Sequence, residues 1–413
     1  MNRASARPLW RGRALAVVGI VLFAFSLRSA VASLSPLIEH IQADFALSAV
    51  AIGLMGTAPP ACYALFGIVT PGLERRFGPE LLTVVALAVV VAGTVARGLA
   101  VDSLTLMVST VVVFAGIGVG NILLPPLVKR HFPDRLGLMM SVYTTTMAVS
   151  TFVPPLFAVP VADAVGWRLS MGMWAVFALV GMVPWIVMVR RARTAAVPGD
   201  VDEASPRALG RMWRLPLPWV LTGAFAVSGT LAYAGFAWLP VVLIDAAGVA
   251  PAEAALMLSV FAFVGFPCAL IAPALVVRYD VVRLPVLVSV VCGIVGLGGL
   301  AFVPAAAPWL WVILYGMTAM FFPLTLVLVG VRARTHEGAV ALSAFVQSLG
   351  YGIVALFPVG LGMLHDLTHA WTLPLLVLIG VALVGVPTGM VAARANTVED
   401  EWERRHGAWS EGG

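Results

Sequence analysis

The chain has 413 residues, of which 61% are hydrophobic and only 11% charged, and its mean hydropathy is +1.01. These values exclude an ordinary soluble domain and predict a protein that crosses a membrane many times. A net charge of +5 would suggest nucleic-acid binding in a soluble chain. Here the basic residues lie at the ends of apolar runs, where they report membrane topology, so no nucleic-acid partner is predicted.

Windows of about twenty apolar residues predict an all-α fold with twelve membrane spans. Their bounds are 14–38, 48–72, 80–100, 104–128, 136–160, 168–190, 216–243, 251–276, 284–303, 308–331, 339–363 and 371–393. The longest polar stretch between spans runs from Arg190 to Arg214. We therefore predict an N-terminal six-helix bundle (1–190), a cytoplasmic linker (191–214) and a C-terminal six-helix bundle with a short tail (215–413).

The basic residues outside the spans indicate the orientation of the chain. If the N-terminus is cytoplasmic, nearly all Lys and Arg residues fall on that side, and only Arg97 and Arg168 fall on the other. The outer loops carry acidic residues instead, among them Glu39, Asp44 and Asp245. Because cytoplasmic loops are enriched in Lys and Arg, we predict a multi-pass protein of the cell inner membrane with both termini in the cytoplasm.

One charged residue interrupts the first apolar run. At about 1.5 Å per helical residue, Arg28 lies about 20 Å from the start of the run, near the middle of a span. An arginine there costs on the order of 2.5–3.5 kcal/mol, and no carboxylate lies within a helical turn or two to pair with it. Snorkelling to the surface is the alternative, but the side chain reaches only about 6 Å. We therefore predict that Arg28 faces a wet cavity or a partner.

The two halves of the chain resemble each other at a nearly constant shift. Met55 corresponds to Met257, and Arg130 corresponds to Arg332. Parallel six-span repeats place a substrate site at the interface between the halves, near the membrane midplane. The pattern therefore predicts that the central cavity lies between two similar bundles.

The loop after the second span carries a family resemblance. Its sequence, Gly72–Gly78 (GLERRFG), is similar to the G-x-x-x-D/E-R-x-G loop of the major facilitator superfamily, with the acid two residues after glycine instead of four. A degenerate counterpart follows the eighth span at Val277–Arg283. The resemblance implies a gating loop that locks the cytoplasmic side through charge pairs. The candidate gating residues are Gly72, Glu74, Arg75, Arg76, Gly78 and Lys129.

Two further segments resemble one branch of that superfamily, the cyanate and 2-nitroimidazole transporters. They are Ser26–Val31 (SLRSAV) in the first span and Gly116–Met139, which begins GIGVGNILLPPLVKRHFP, in the fourth span and the loop after it. Ser26 and Ser29 stand where the branch usually has asparagine and proline. The resemblance implies a transporter of a small solute.

Polar and aromatic residues fall on the spans that line the cavity in the resembled fold. The candidate substrate-binding residues are Arg28, Asn121, Tyr143, Tyr233, Tyr315, Gln347 and Tyr351. Hydroxyls and amides can hydrogen-bond a small polar solute while aromatic rings exclude water. Ordinary helix packing is the alternative for each tyrosine.

The sequence does not indicate an enzyme. No nucleophile and base lie at a suitable depth in the spans, and Cys62, Cys268 and Cys292 lie in apolar runs without metal or redox spacing. We therefore predict neither a cofactor nor a metal. No acidic residue falls in the middle third of a span, so these residues do not indicate proton coupling, which is left open.

The leading hypothesis is a monomeric secondary transporter that moves a small anion, such as cyanate, by alternating access. Arg28 would supply the positive charge in the central cavity. The alternative is an exporter of nitroimidazole-like or other small drugs, bound mainly by aromatic rings. A membrane sensor that does not transport is a third hypothesis, of a different class.

Overall fold

The structure is a computed structural model that describes residues 13–192, 206–279, 281–394, 396–407 and 409. Within these residues the chain forms twelve apolar helical spans and no strand, which confirms the all-α membrane fold. The helices are α1 (Ala14–Ala32), α2 (Ile38–Gln42), α3 (Ala49–Phe77), α4 (Pro79–Gly98), α5 (Ser103–His131), α6 (Leu136–Val165), α7 (Trp167–Gly172), α8 (Ala175–Ala192), α9 (Pro206–Met212), α10 (Pro216–Ala247), α11 (Pro251–Tyr279), α12 (Arg283–Phe302), α13 (Pro308–Gly316), α14 (Phe321–Val331), α15 (His336–Val354), α16 (Leu356–Thr368), α17 (Thr372–Ala392) and α18 (Val398–His406).

Several spans that the sequence predicts as continuous are interrupted. The first span breaks after Ala32, and the eleventh breaks between α15 and α16 after Val354. Each break lies four residues before a proline, Pro36 or Pro358. Proline has no N–H to donate to the carbonyl four residues earlier, and its ring clashes there. At each of these two breaks, proline therefore removes the hydrogen bond that would continue the helix.

The two ends of the helices carry opposite charge. We call the end that carries Arg13, Arg76, Arg130, Arg211 and Arg334 the basic face, and the end that carries Glu39, Asp44, Asp163, Asp245 and Glu253 the acidic face. On the acidic face, Asp44 accepts a hydrogen bond from the Trp167 indole at 2.9 Å and another from Arg168. These two bonds lower the pKa of the Asp44 carboxyl below its usual value. They fasten the α2–α3 loop to the start of α7.

The C-terminal helix α18 is fixed to the basic face. The Glu399 side chain is fully buried and accepts hydrogen bonds from the backbone N–H groups of Arg334 and Thr335 at 2.9 and 3.0 Å. The Arg334 guanidinium pairs with Asp400 at 3.1 Å and with Glu403 at 2.7 Å. These bonds tie α18 to the loop between α14 and α15.

Helices α1 to α8 form one bundle and α10 to α17 the other, and the two meet where α3 packs on α15 and α16 and where α6 packs on α11. In its acidic half, α3 is very close to α16. A Cβ at Gly53 would lie 2.7 Å from the Pro358 carbonyl oxygen, and one at Gly362 would lie 2.6 Å from the Ala49 carbonyl oxygen. Gly67 also lies on α3, nearer the basic face. A Cβ added there would be no closer than 3.8 Å to any atom packed against that helix, the nearest being Ser348 Oγ. The interface is therefore tightest in its acidic half.

Candidate functional site

Arg28 lies in the second half of α1 and faces the interface between the bundles. Its side chain is partly exposed, and its Nη1 donates a hydrogen bond to the Tyr233 hydroxyl at 3.0 Å. The guanidinium carbon lies 6.0 Å from the centre of the Tyr63 ring. No carboxylate forms an ion pair with it among the residues that the structure describes. The cation is therefore held by phenol groups and retains its full charge.

Four of the six tyrosines of the chain surround this cation, and we call Tyr63, Tyr143, Tyr233 and Tyr351 the tyrosine cluster. The Tyr63 ring centre is 5.4 Å from that of Tyr351 and 6.3 Å from that of Tyr233, and both pairs meet edge to face. Edge-to-face pairs of this kind are favourable beyond the area they bury. Helices α3, α6, α10 and α15 supply one tyrosine each, so both bundles contribute to the cluster.

Two buried polar groups at the tyrosine cluster, one on Tyr63 and one on Asn121, lack a well-formed hydrogen bond within the described chain. The Asn121 amide of α5 approaches the Tyr63 hydroxyl. Neither that hydroxyl nor Asn121 Nδ2 makes a hydrogen bond of good geometry within the described chain, although both atoms are buried. Gly118 permits this approach, because a Cβ there would lie 3.0 Å from the Cys62 carbonyl oxygen of α3. A buried polar atom without a partner costs about 1–3 kcal/mol, so a bound solute or water is the natural partner for both groups.

Two of the sequence candidates are hydrogen-bonded within the C-terminal bundle and, in the described part of the chain, not to the cation. Tyr315 of α13 packs on Phe261, with ring centres 4.9 Å apart, and its hydroxyl donates to the Leu231 carbonyl oxygen at 2.5 Å. Gln347 donates its side-chain amide to Ser343 Oγ at 2.8 Å, one turn earlier on α15. Both side chains thus have a local partner. The structure brings together Arg28, Asn121, Tyr143, Tyr233 and Tyr351, and it adds Tyr63.

Two tyrosine variants separate a binding role from a packing role. Tyr315→Phe loses one buried hydrogen bond, so we expect a lower melting temperature, equivalent to about 1 kcal/mol, with an unchanged KM for the transported solute. Tyr233→Phe removes the hydrogen-bond partner of Arg28, so we expect KM to rise several-fold with a smaller change in melting temperature. Initial rates in proteoliposomes and thermal melts measure both effects. An equal rise of KM in the two variants would contradict this division.

The loop motif joins α3 to α4 at the basic face. Gly78 has φ +78°, a left-handed conformation that glycine adopts at no cost, and it lets α4 begin directly after α3. Glu74 is buried, while Arg76 stacks on Phe77 at 5.4 Å. A Cβ at Gly72 would meet nothing within 4 Å. The side chains of Arg75 and Lys129 lie outside the described part of the chain, and the gating role of this loop stays a prediction.

Sequence reasoning missed two charged groups near these elements. Glu80, at the start of α4, pairs with Arg130 at 3.5 Å and His131 at 3.6 Å, and so joins α4 to the end of α5. Arg97, which the sequence places on the outer side, lies in the last turn of α4. It is 1% exposed, and its Nη1 donates to the Ala30 carbonyl oxygen at 3.2 Å. That carbonyl belongs to the last turn of α1. Because the helix ends at Ala32, no N–H of the same helix is available to donate a hydrogen bond to it.

Two six-helix bundles with a charged residue at their interface are the architecture of membrane transporters of small solutes. The sequence profile of the Major Facilitator Superfamily matches residues 17–355. The chain belongs to this superfamily.

Comparison with individual proteins supports the same class. The chain is 30% identical to the 2-nitroimidazole transporter of Escherichia coli (strain K12), over 93% of this chain and 96% of that protein. It is 29% identical to the transporter YycB of Bacillus subtilis (strain 168), over 95% and 96% of the two chains. Identity to the E. coli cyanate transport protein CynX is 23%, over 88% and 94%. These relatives are named as transporters and not as enzymes.

A solved structure shows the same fold at lower identity. The bacterial homologue of the human lysosomal transporter Spinster, in an inward-facing and unoccupied conformation, superimposes with a TM-score of 0.71. The match covers 96% of this chain and 99% of that one, at 17% identity. This similarity confirms the prediction of two six-helix bundles with the major facilitator fold.

Proposed function

We propose that this transporter moves a small anion by alternating access and that Arg28 binds the anion in the central cavity. The observation that carries the proposal is the hydrogen bond of Arg28 to a neutral tyrosine instead of a carboxylate. An unpaired cation inside a membrane is costly, and such residues usually face a substrate pathway. A monovalent anion such as cyanate would neutralise it.

The surrounding groups suit a small anion of this kind. Phenol hydroxyls and the Asn121 amide donate hydrogen bonds, so they can complete the shell of an anion that the guanidinium already attracts. The aromatic rings of the tyrosine cluster occupy the remaining space and exclude water, which strengthens the attraction. Asn121 and Tyr63 would therefore bind the side of the anion that Arg28 leaves open.

A second candidate is export of a nitroimidazole-like drug. The higher identity to the 2-nitroimidazole transporter than to CynX favours it. A flat ring can also stack in the tyrosine cluster, whose rings already meet at 5.4 to 6.4 Å. In this case the planarity of the solute would determine binding, and its charge would matter little.

A solute panel distinguishes the two candidates. The purified protein in proteoliposomes is tested with cyanate, with 2-nitroimidazole and with urea, a small neutral polar control, for both thermal stabilisation and flux. An anion substrate should stabilise the protein, and its uptake should accelerate when the interior is made electrically positive. Stabilisation and flux with 2-nitroimidazole alone would favour the drug exporter. Binding without flux for either solute would indicate the non-transporting sensor.

We further propose that the basic face is cytoplasmic, that the protein resides in the cell inner membrane and that it acts as a monomer. The concentration of arginines on the basic face supports this orientation because positive residues are retained on the cytoplasmic side. In this orientation the tight acidic half of the interface closes the outer end of the pathway. In this conformation the solute would then enter and leave the site from the cytoplasmic side.

A further inference from the structure

A cavity lies on the acidic face, outside the closed part of the interface. Its volume is about 170 Å³, and we call it the acidic vestibule. Glu39 and Ser35 line it from the N-terminal bundle, and Asp245 and His365 line it from the C-terminal bundle. Two buried indoles, those of Trp238 and Trp371, also contribute to the lining.

The carboxylates of the vestibule have no cationic partner among the described residues, since neither Glu39 nor Asp245 forms an ion pair there. The basic side chain in the lining, His365, stacks on Trp371 with ring centres 4.2 Å apart, and its Nδ1 lies 3.8 Å from Asp366. Asp245 accepts one hydrogen bond, from the Trp371 indole at 3.0 Å.

A buried hydroxyl in the same cavity also lacks a partner. Ser35 is 5% exposed, yet its Oγ makes no hydrogen bond within the described chain. Its side chain lines the acidic vestibule and also a smaller cavity that Tyr233 lines too. A hydroxyl buried in this way costs free energy unless something in the cavity accepts or donates a hydrogen bond.

We propose that the acidic vestibule binds a small organic cation of the substituted-ammonium type, separately from the solute held at Arg28. Two exposed carboxylates supply the negative charge, and the apolar side chains among the lining residues suit methyl groups better than a bare metal ion. The volume of about 170 Å³ far exceeds the roughly 10–15 Å³ that holds one water, so a methylated ammonium fits.

The position of the site has a consequence for the transport cycle. Glu39 belongs to one bundle and Asp245 to the other, so opening the acidic face would separate them. A cation between them binds the closed conformation more tightly than the open one, and therefore shifts the population towards the closed conformation. The cation would thus slow transport from the acidic side without competing at Arg28.

Tetramethylammonium is the probe, applied to the intact protein in detergent and in proteoliposomes. We expect saturable binding by calorimetry and a higher melting temperature, with neither effect from tert-butanol, a neutral probe of similar shape, nor from potassium at equal ionic strength. Glu39→Gln and Asp245→Asn should each weaken the binding at least tenfold. The matched control is Glu253→Gln, which removes an acidic-face carboxylate that bonds the Trp309 indole outside the vestibule.

Three results would overturn the proposal. They are the absence of saturable tetramethylammonium binding, equal binding of potassium, and unchanged affinity in the Glu39→Gln, Asp245→Asn double variant. Melting curves of each variant without the probe show whether it is folded, and a variant that does not fold is replaced by Glu39→Lys, which reverses one charge of the vestibule at an exposed position and should abolish binding. Loss of affinity in the Glu253→Gln control would equally contradict the assignment to this cavity.

Discussion

Replacing Arg28 with alanine should lower the flux of an anionic substrate about 10- to 150-fold without destabilising the protein. Hydrogen bonds to charged groups contribute about 1.5–3 kcal/mol, and about 1.4 kcal/mol corresponds to a tenfold change. The guanidinium has one hydrogen bond in the structure, to Tyr233, and no carboxylate partner among the described residues. Because burying such a charge costs free energy that the chain does not recover, its removal should leave the melting temperature unchanged or higher.

Initial rates in proteoliposomes and thermal melts of Arg28→Ala and Arg28→Lys measure these effects. Lysine keeps the charge but loses the planar fork, so a milder defect would indicate simple electrostatic attraction, and an equal defect would indicate bidentate binding. The control is Arg97→Met, which removes a buried arginine of the same bundle that donates to the Ala30 carbonyl oxygen. We expect this control to change the melting temperature and not the ratio of rates between anionic and neutral solutes.

The assignment of Arg28 as the anion-binding residue depends on this comparison. Native flux of cyanate in both Arg28 variants would rule it out and leave the fold and the family unaffected. Native flux of 2-nitroimidazole together with lost cyanate flux would show two solutes that bind different parts of one cavity. Loss of both fluxes with a lower melting temperature would show that Arg28 has a structural role instead.

The twelve spans could be predicted because hydrophobic length is a local property of the sequence. The predicted bounds were wrong where a proline ends a helix inside an apolar run, as at the first span, where α1 stops at Ala32. Apolar windows do not detect such a break, because proline and its neighbours are apolar enough to continue the run. Two breaks, at Ala32 and at Val354, do lie four residues before a proline, but the position of a proline alone does not locate a break, because α3, α5 and α10 continue through prolines.

The composition of the site was harder to predict than the fold. Arg28 stood out because the free energy of placing a charge in a membrane depends on its depth, which the sequence gives. A tyrosine in an apolar span is equally suited to packing and to binding. Tyr315 shows the packing case, because its hydroxyl is already bonded to the Leu231 carbonyl oxygen. Only the arrangement of helices in three dimensions distinguishes it from Tyr233.

Tyr63 was missed although the sequence contains a signal for it. Gly53, Gly56, Tyr63 and Gly67 follow the alternating three- and four-residue spacing of one helix face. All four face the other bundle, where their neighbours include Pro358, Ala237, Tyr351 and Ser348. A tyrosine in a row of glycines marks the place where two bundles separate enough to admit a large side chain. That tyrosine lies beside Arg28, whose guanidinium carbon is 6.0 Å from its ring centre.

The same row of glycines leads to the second large expected effect, in Gly53→Ala. A Cβ at residue 53 would lie 2.7 Å from both the Pro358 carbonyl oxygen and Val359 Cα, and backbone atoms cannot move aside as a flexible side chain can. Overpacking of this kind costs about 1–3 kcal/mol, which would disfavour the closed acidic half about 5- to 150-fold. We therefore expect transport to slow by a similar factor, because a carrier that cannot close one side cannot complete its cycle.

Gly360→Ala is the matched control, because it lies on α16 beside the contact and a Cβ there would meet nothing within 4 Å. Alanine in place of a helical glycine is favourable by up to about 1 kcal/mol, so this control should melt at the same temperature or higher and transport normally. Closure is measured with Ile52→Cys, a buried position lining the acidic vestibule, in a chain whose three native cysteines are replaced by alanine. A membrane-impermeant maleimide should label this cysteine faster from the acidic face in the Gly53→Ala background and at the native rate in the Gly360→Ala background. Equal labelling in the two backgrounds would show that the close contact of α3 with α16 is not what seals the acidic face.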